Sequence, residues 1–444
     1  MASKIDPTVQ HPDYPALLAK YQTTQDAFNG DVAEYVEKIP GMSVDAFQQY
    51  CGRAAYFNLV ERTTQAIIGS MMRKPFKLAG MDQFPVTDFE SADAFLQDAI
   101  RNEMIGARTC ILVDVDPASG KSKLISYDAC DVINWLEGKF YIIQQCSLVQ
   151  DPDNPYQLVE QNSWLELYLD ENGLYASRVW TLADKNNNTY VSEDQPQLLV
   201  NGKPINYIPF FVANPYDNTW CGVFNPPLFT QASLNLQHYK LSLDIAHYCR
   251  HMALPTFTIM GDMATYSDDN GTQFQAQVRL GSTEDALHLA QGSQAKYIEV
   301  NGMSYASLKS ERDHIEENMY VTGSRLLMTK RGVESVEALS LRSNAEGAVL
   351  ETVTNALESA LNQALVLCGE IDRSTTVPVI TLNKDFSSSM MEAAMVNSLL
   401  QLYVAGAITL EEFQQRLFEG EVIGEPGANN DQTGDNDITG NIEL

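Results

Sequence analysis

His247 and His251 stand four residues apart with Cys249 between them. That spacing puts both imidazoles on one face of a helix and can hold a zinc ion. The pattern lacks the glutamate of H-E-x-x-H, and no third ligand follows at a metal-site interval, so the pair reads as structural or solvated. His11, His238, His288 and His314 are scattered. Cys51, Cys110, Cys130, Cys146, Cys221, Cys249 and Cys368 are odd in number, far apart and without a C-x-x-C pair. This argues against a zinc ribbon and a disulfide framework; most lie in apolar runs and read as small buried hydrophobes. No G-x-x-x-x-G-K-[ST] loop, post-strand G-x-G-x-x-G or G-x-S-x-G elbow occurs, and nothing sets a nucleophile beside a base. The acidic pairs Asp114 with Asp116 and Asp268 with Asp269 fall in turns and read as solvated. The expectation is a chain with no catalytic residues, no cofactor and no metal.

The other candidate chemistry is electrostatic. Lys309, Arg312, Arg325, Lys330, Arg331 and Arg342 are matched by Glu311, Asp313, Glu316, Glu317, Glu334 and Glu337, so residues 304–342 are neutral in a chain of net charge −29. Gripping nucleic acid requires lysines and arginines against phosphates, because counterion release supplies most of that affinity. This chain has the reverse balance and repels a DNA backbone over most of its surface, leaving the neutral segment as the least repulsive approach. Two plainer readings stay open. Acidity alone confers solubility, and i,i+4 pairing such as Lys309 with Asp313 gives an ordinary helix surface.

The elements that position these residues are legible from periodicity. A helix is expected over 43–72, capped by Ser43 and stopped at Arg73-Lys74-Pro75, and another over 91–103. Strands are expected over 107–114, 123–127, 140–149, 164–169 and 174–180, the last two flanking Asn172-Gly173, with a loop over 184–196. Pro226-Pro227 opens a helix to Met252. Leu228, Ala232, Leu236, Tyr239, Leu243 and Ala246 form one apolar stripe on it. Leu234, Leu241, Ile245, Tyr248 and Met252 form a second on nearly the opposite face. Such a helix is either a central core helix or one wedged between neighbours in a ring, and periodicity does not decide. A small strand-and-turn module, 255–302, is punctuated by Gly261, Gly271, Gly281 and Gly292. A second helix covers 304–328. A long one ends at Leu367 or Cys368 with Gly369 as its stop, beginning near Ser335 or at the Ser343/Glu346 capping-box spacing. A strand at 377–382 and helical segments at 390–405 and 409–418 follow. Beyond Gly424 the composition is that of a disordered tail.

With 444 residues, 44% hydrophobic and 20% charged, the chain supports two to four packed units. It holds no run of eighteen apolar residues, and residues 1–10 have no apolar signal region. The expectation is a soluble protein made in a cytoplasm.

The order of these parts resembles the portal proteins (head-to-tail connectors) of tailed bacteriophages. So do Tyr50-Cys51-Gly52-Arg53-Ala54-Ala55-Tyr56-Phe57, Arg62-Thr63, Ile68-Gly69 and Arg73-Lys74-Pro75, and, near the other end, residues 386–422 with Ala405-Gly406-Ala407-Ile408-Thr409. The resemblance covers most of residues 10–424. It implies an α+β fold with a wing (1–225), a first stem helix (226–252), a small α/β clip (253–303) and a second stem helix (304–328). A tunnel loop (329–338), a long tunnel helix with completion of the wing (339–389), a helical crown (390–424) and an acidic tail (425–444) follow. It further implies a non-enzymatic homo-oligomer of twelve copies, a ring at the unique capsid vertex of a virion. Double-stranded DNA would pass through it non-specifically in packaging and ejection. The terminase large subunit, major capsid or scaffolding proteins and head–tail adaptors would dock on it, and no membrane is involved. Lys330, Arg331, Arg325 and Arg342 would face the DNA. Leu236, Tyr239, Leu243, Leu241, Ile245 and Tyr248 would pack between subunits. Another virion structural protein, such as an adaptor or minor capsid component, and an acidic cytoplasmic enzyme with an unrecognised site are the rival readings.

Overall fold

The computed structural model of the chain describes residues 5–86, 91–117, 119–151, 154, 156–184, 189–216, 223–252, 256–261, 265–267, 273–275, 292–298, 303–322, 336–386 and 393–419. Helix α1 (Tyr14–Asn29), which periodicity missed, ends on Gly30 in the left-handed region (φ 85°), whose N–H donates to Asp26 O. The helix expected over 43–72 is two helices. In α2 (Val44–Cys51), Ser43 accepts from Ala46 N as expected. In α3 (Leu59–Met71), a second cap, Asn58, accepts from Glu61 N. The break has a local and a distant cause: Asn58 offers its side chain to an orphan donor of a new helix, and the link anchors the Tyr56 hydroxyl on Ala27 O of α1 at 2.8 Å.

After β1 (Lys77–Ala79), Ser91 caps α4 (Ala92–Gly106). Strand β2 (Thr109–Val115) turns on Asp116 into β3 (Ser122–Asp128), its antiparallel partner. A five-stranded meander follows: β4 (Val132–Leu136), β5 (Phe140–Gln150), β6 (Leu158–Leu169), β7 (Tyr175–Asp184) and β8 (Thr189–Asp194). The hairpin at Asn172-Gly173 forms as expected, with Gly173 at φ 75°. Residues 185–188 of the loop expected over 184–196 lie outside the described residues, and part of the remainder is instead a strand, β8. Its Thr189-Tyr190-Val191 run favours a strand, and Tyr190 packs edge-on against Trp164 at 5.4 Å. The small hairpin of β9 (Leu199–Val200) with β10 (Lys203–Pro204) leads to β11 (Phe210–Ala213), which joins β2 to complete a β11-β2-β3 sheet. A core containing Leu17, Tyr21, Cys110, Ile133, Ile143 and Leu167 joins α1 to both sheets.

Helix α5 (Phe229–Met252) begins just after Pro226-Pro227. Among the described residues of the following module, β12 (Thr256–Met260) pairs with β15 (Gln294–Ile298), and β13 (Thr265–Ser267) with β14 (Gln273–Gln275). Then come α6 (Met303–Thr322) and α7 (Val336–Ile371), the latter about 54 Å long at 1.5 Å per residue. The stripe Leu350, Val353, Leu357, Leu361, Ala364 and Cys368 of α7 is wholly buried. Ser343 and Glu346 lie inside α7, so they do not cap it. Gly369 does not stop it either, since the helix runs on to Ile371 and the left-handed residue beyond is Arg373 (φ 56°). A glycine is needed at 369 for clearance: a Cβ there would lie 2.6 Å from Pro378 Cδ. Asp372 then accepts from Ser122 N and Oγ at 2.9 and 2.7 Å, tying the end of α7 to β3. Strand β16 (Val379–Thr381) returns to pair with β1. Among the described residues no helix is long and apolar enough to cross a membrane.

The chain divides into two units, 1–384 and 385–444. In the second, α8 (Ala393–Val404) and α9 (Leu410–Glu419) pack through Tyr403 stacked on Phe413 at 5.1 Å. A reciprocal cap starts α9, with Thr409 N donating to Glu412 and Glu412 N donating to Thr409. The tail expected to be disordered lies outside the described residues. Architecture is therefore mixed α and β. The cysteines correct one expectation: Cys110 and Cys368 are buried, but Cys51, Cys130 and Cys249 are half-buried and Cys146 is exposed.

Candidate functional site

The two apolar stripes of α5 have partners within the chain. Leu236, Tyr239 and Leu243 pack on Val32, Val36 and Tyr50, with Phe47 and Tyr56 beside them. Polar bonds fix the register: Tyr239 donates to Cys51 O at 2.9 Å and Tyr50 donates to Asp244 at 2.6 Å. Leu234 and Leu241 lie against Leu59, Ile315 and Met319. Between the stripes, buried Asn235 accepts from Leu59 N at 3.0 Å, and buried Gln231 donates to Thr63 Oγ1 at 2.6 Å. The Asn235 amide thus satisfies one of the backbone donors left open at the start of α3. Ile245 is buried, while Leu241 and Tyr248 are half-buried. Intrachain partners thus cover Leu236, Tyr239 and Leu243 of the first stripe and Leu234 and Leu241 of the second.

Helix α6 meets α5 along one narrow seam of Tyr305, Leu308, Arg312, Ile315 and Met319, at alternating spacings of three and four. His238 reaches Glu316 across it at 3.1 Å. Most of the other side chains described on α6 are exposed. Asp313, expected beside Lys309, pairs with Arg312 at 2.9 Å, and Arg312 also reaches Glu316 at 3.2 Å. Exposed pairs of this kind contribute about 0–1 kcal/mol each.

Of the expected DNA-facing residues, Arg325, Lys330 and Arg331 lie outside the described residues, and Arg342 falls on α7 with its side chain outside them. His247 packs against the edge of Tyr50 and contacts the guanidinium of Arg53. Among the described residues no three His, Cys, Asp or Glu side chains gather as metal ligands. A polar knot on the meander is structural in geometry. Arg178 is clamped by Glu166 at 2.7 and 3.1 Å and lies over the rings of Tyr168 and Trp180.

Sequence reading missed the buried titratable groups. Glu103 and Arg108 are fully buried, and Arg108 holds its guanidinium 5.8 Å from the Phe224 ring centroid. Burial pushes the Glu103 carboxyl well up, and neither oxygen finds a hydrogen-bond partner. The turn from β3 to β4 is built on two carboxylates. Asp128 N donates to Asp131 at 3.1 Å and Cys130 N donates to Asp128 at 3.3 Å. Burial, then the neighbouring Asp128 charge, pushes Asp131 up to about 6. One signal was available: Glu103 follows Leu96, Ala99 and Ile100 at helical spacing, and so falls on the inward face of α4.

Residues 227–370 match the family model Domain of unknown function (DUF4055). No curated protein matches the chain. Among solved structures, the chain is similar to one in the neck of an empty gene transfer agent (GTA) particle computed with C6 symmetry. The TM-score is 0.44 at 10% identity, covering 87% of this chain and 96% of that one. It is similar to one in the neck of the native particle computed with C12 symmetry, with TM-score 0.42 at 11% identity, covering 94% and 96%. An HK97-family phage portal protein from Corynebacterium diphtheriae aligns with TM-score 0.32 at 12% identity, covering 73% and 91%.

Proposed function

We propose that this chain is a non-enzymatic subunit of a portal-type ring at a capsid vertex, a passage for double-stranded DNA and a platform for motor and adaptor proteins. The observation that carries the reading is the path of the chain. An α+β body gives way to α5, a small β module closed by the β12–β15 pair, and α6 packed back along α5. The long helix α7 then buries its stripe in the body, and β16 returns to β1. That is the order wing, stem, clip, stem, long helix, wing, followed by a separate helical hairpin in the place of a crown. The half-buried sides of Leu241 and Tyr248 and the exposed face of α6 are the stem surfaces left for a neighbour. The charge balance also supports a passage: an acidic wall lets DNA slide instead of holding it. Negative-stain images of the purified protein test the reading. A large ring with an axial hole is expected, and solitary globules at high concentration would sink it.

In that ring Lys330 and Arg331 make weak, sequence-independent phosphate contacts from the tunnel loop. The double variant Lys330→Glu/Arg331→Glu is expected to form rings as the parent does, while DNA packaging or retention falls several-fold. Filled heads in normal number that keep their DNA would remove the role.

A further inference from the structure

Helix α8 leaves apolar side chains open on two flanks. Its seam with α9 is buried Leu399 with half-buried Val396 and Tyr403, the last stacked on Phe413. At about 100° per residue, Leu400 and Val404 fall on one flank of that seam and Leu402 on the other. These three are 45%, 77% and 43% exposed. Between the flanks, on the side away from α9, lie the exposed polar residues Asn397, Ser398 and Gln401. Only this back suits water. A helix apolar around most of its circumference is one that is covered.

The hairpin cannot supply that cover from its own residues. Helices α8 and α9 have 12 and 10 residues, and isolated helices shorter than about 12–15 residues are marginal in water. Among the described side chains of their unit, only Leu399 and Leu417 are buried.

Charge selects the occupant. Residues 393–410 contain no Asp, Glu, Lys or Arg, in a chain of net charge −29, whereas α9 sets Glu411, Glu412 and Glu419 against Arg416 alone. Copies of this chain repel one another over most of their surfaces, and α8 is a stretch where that repulsion falls away. The seam separates its two open flanks, so they are different surfaces, as a subunit between two identical neighbours in a ring requires.

We propose that α8 packs side by side with α8 of the adjacent copies, the Leu400–Val404 flank of one against the Leu402 flank of the next. The contact is head-to-tail, the kind that closes into a ring. The inference rests on the ring reading above and names one surface that joins its subunits.

Charge exchange in the full-length chain tests it. Val404→Glu and Leu402→Lys alter exposed positions, so folding of the protomer is not at stake. Each is expected to lower the ring fraction in gel filtration several-fold at equal concentration. The double variant Val404→Glu/Leu402→Lys is expected to restore it, because position 404 of one copy then meets position 402 of the next. Residues two apart on a helix do not face each other, so the pair cannot form within one copy. Independently, two differently tagged populations carry Cys146→Ser, one with Leu402→Cys and the other with Val404→Cys. In their mixed rings a short bis-maleimide is expected to join the two tags, with peptide mapping placing the link at 402 and 404. Single variants that form rings in parental yield, a double variant that stays depleted, or rings without the 402–404 link overturn the α8 contact and leave the channel reading standing. Flanks covered by this chain's own body or by another virion protein would give such results. A parent chain that forms no ring overturns both.

Discussion

Glu103→Gln is expected to melt at a higher temperature than the parent chain at about pH 8, and at nearly the same temperature at about pH 4. The parent carboxyl is fully buried on α4, and neither of its oxygens is hydrogen-bonded. Burial disfavours its charged form, so its pKa in the folded protein stands well above the ordinary value. In the unfolded chain it ionises near the ordinary value of about 4.3. Below that value both states hold the proton, and the residue contributes no pH dependence. Above it the unfolded chain releases a proton that the folded chain keeps. Stability then falls by about 1.4 kcal/mol per pH unit until the folded-state pKa is reached. Glutamine keeps the shape and removes the ionisation. A melting profile against pH would check this, and an unchanged slope above about pH 6 in the variant would refute it.

The slope left in that variant identifies its other sources. Asp131 is raised by burial and then by Asp128, from 3.8 to about 6, so its contribution is confined to that interval. Asp128 is raised by burial as well, and hydrogen bonds from the Cys130 and Ala129 backbone oppose the shift. All three shifts have the same sign, so Asp128 and Asp131 keep part of the pH dependence when Glu103 is replaced.

Local rules carried the sequence reading far, because the features they describe are themselves local. Ser43 caps the helix it precedes, Asn172-Gly173 turns its hairpin, and the α7 stripe is buried residue for residue. Errors arose where a distant partner decides the outcome. The 43–72 pattern keeps helical spacing across a break that Asn58 and the anchoring of Tyr56 impose. Gly369 reads as a helix stop only until Pro378 is folded over it. Strand β8 hides in a polar segment because its support is the ladder to β7 and the face of Trp164. For the candidate site the limit was different. Two stripes on α5 are visible in the sequence, but whether they meet this chain or another depends on where residues 32–59 and 315–319 return, which periodicity does not encode.

That distinction makes α5 the place for the second large effect. Leu243 is 0% exposed and lies in the cluster of Val32, Val36 and Tyr50. Leu243→Ala is expected to cost about 2–5 kcal/mol, the lost transfer energy plus that of the cavity left behind. Leu241→Ala, at a half-buried position of the other stripe, should cost less. Protein concentration separates a core role from a subunit-contact role. A contact made inside one protomer destabilises it equally at any concentration, whereas one made between copies weakens by mass action and shows as a melting temperature that climbs with concentration. Denaturant unfolding of Leu243→Ala across a hundredfold range of concentration should give the same loss throughout. A loss that vanishes in dilute solution, where the parent would also lack its neighbours, would reassign Leu243 to the ring interface. Leu241 and Tyr248, half-buried beside the exposed face of α6, are where a concentration-dependent loss is expected instead.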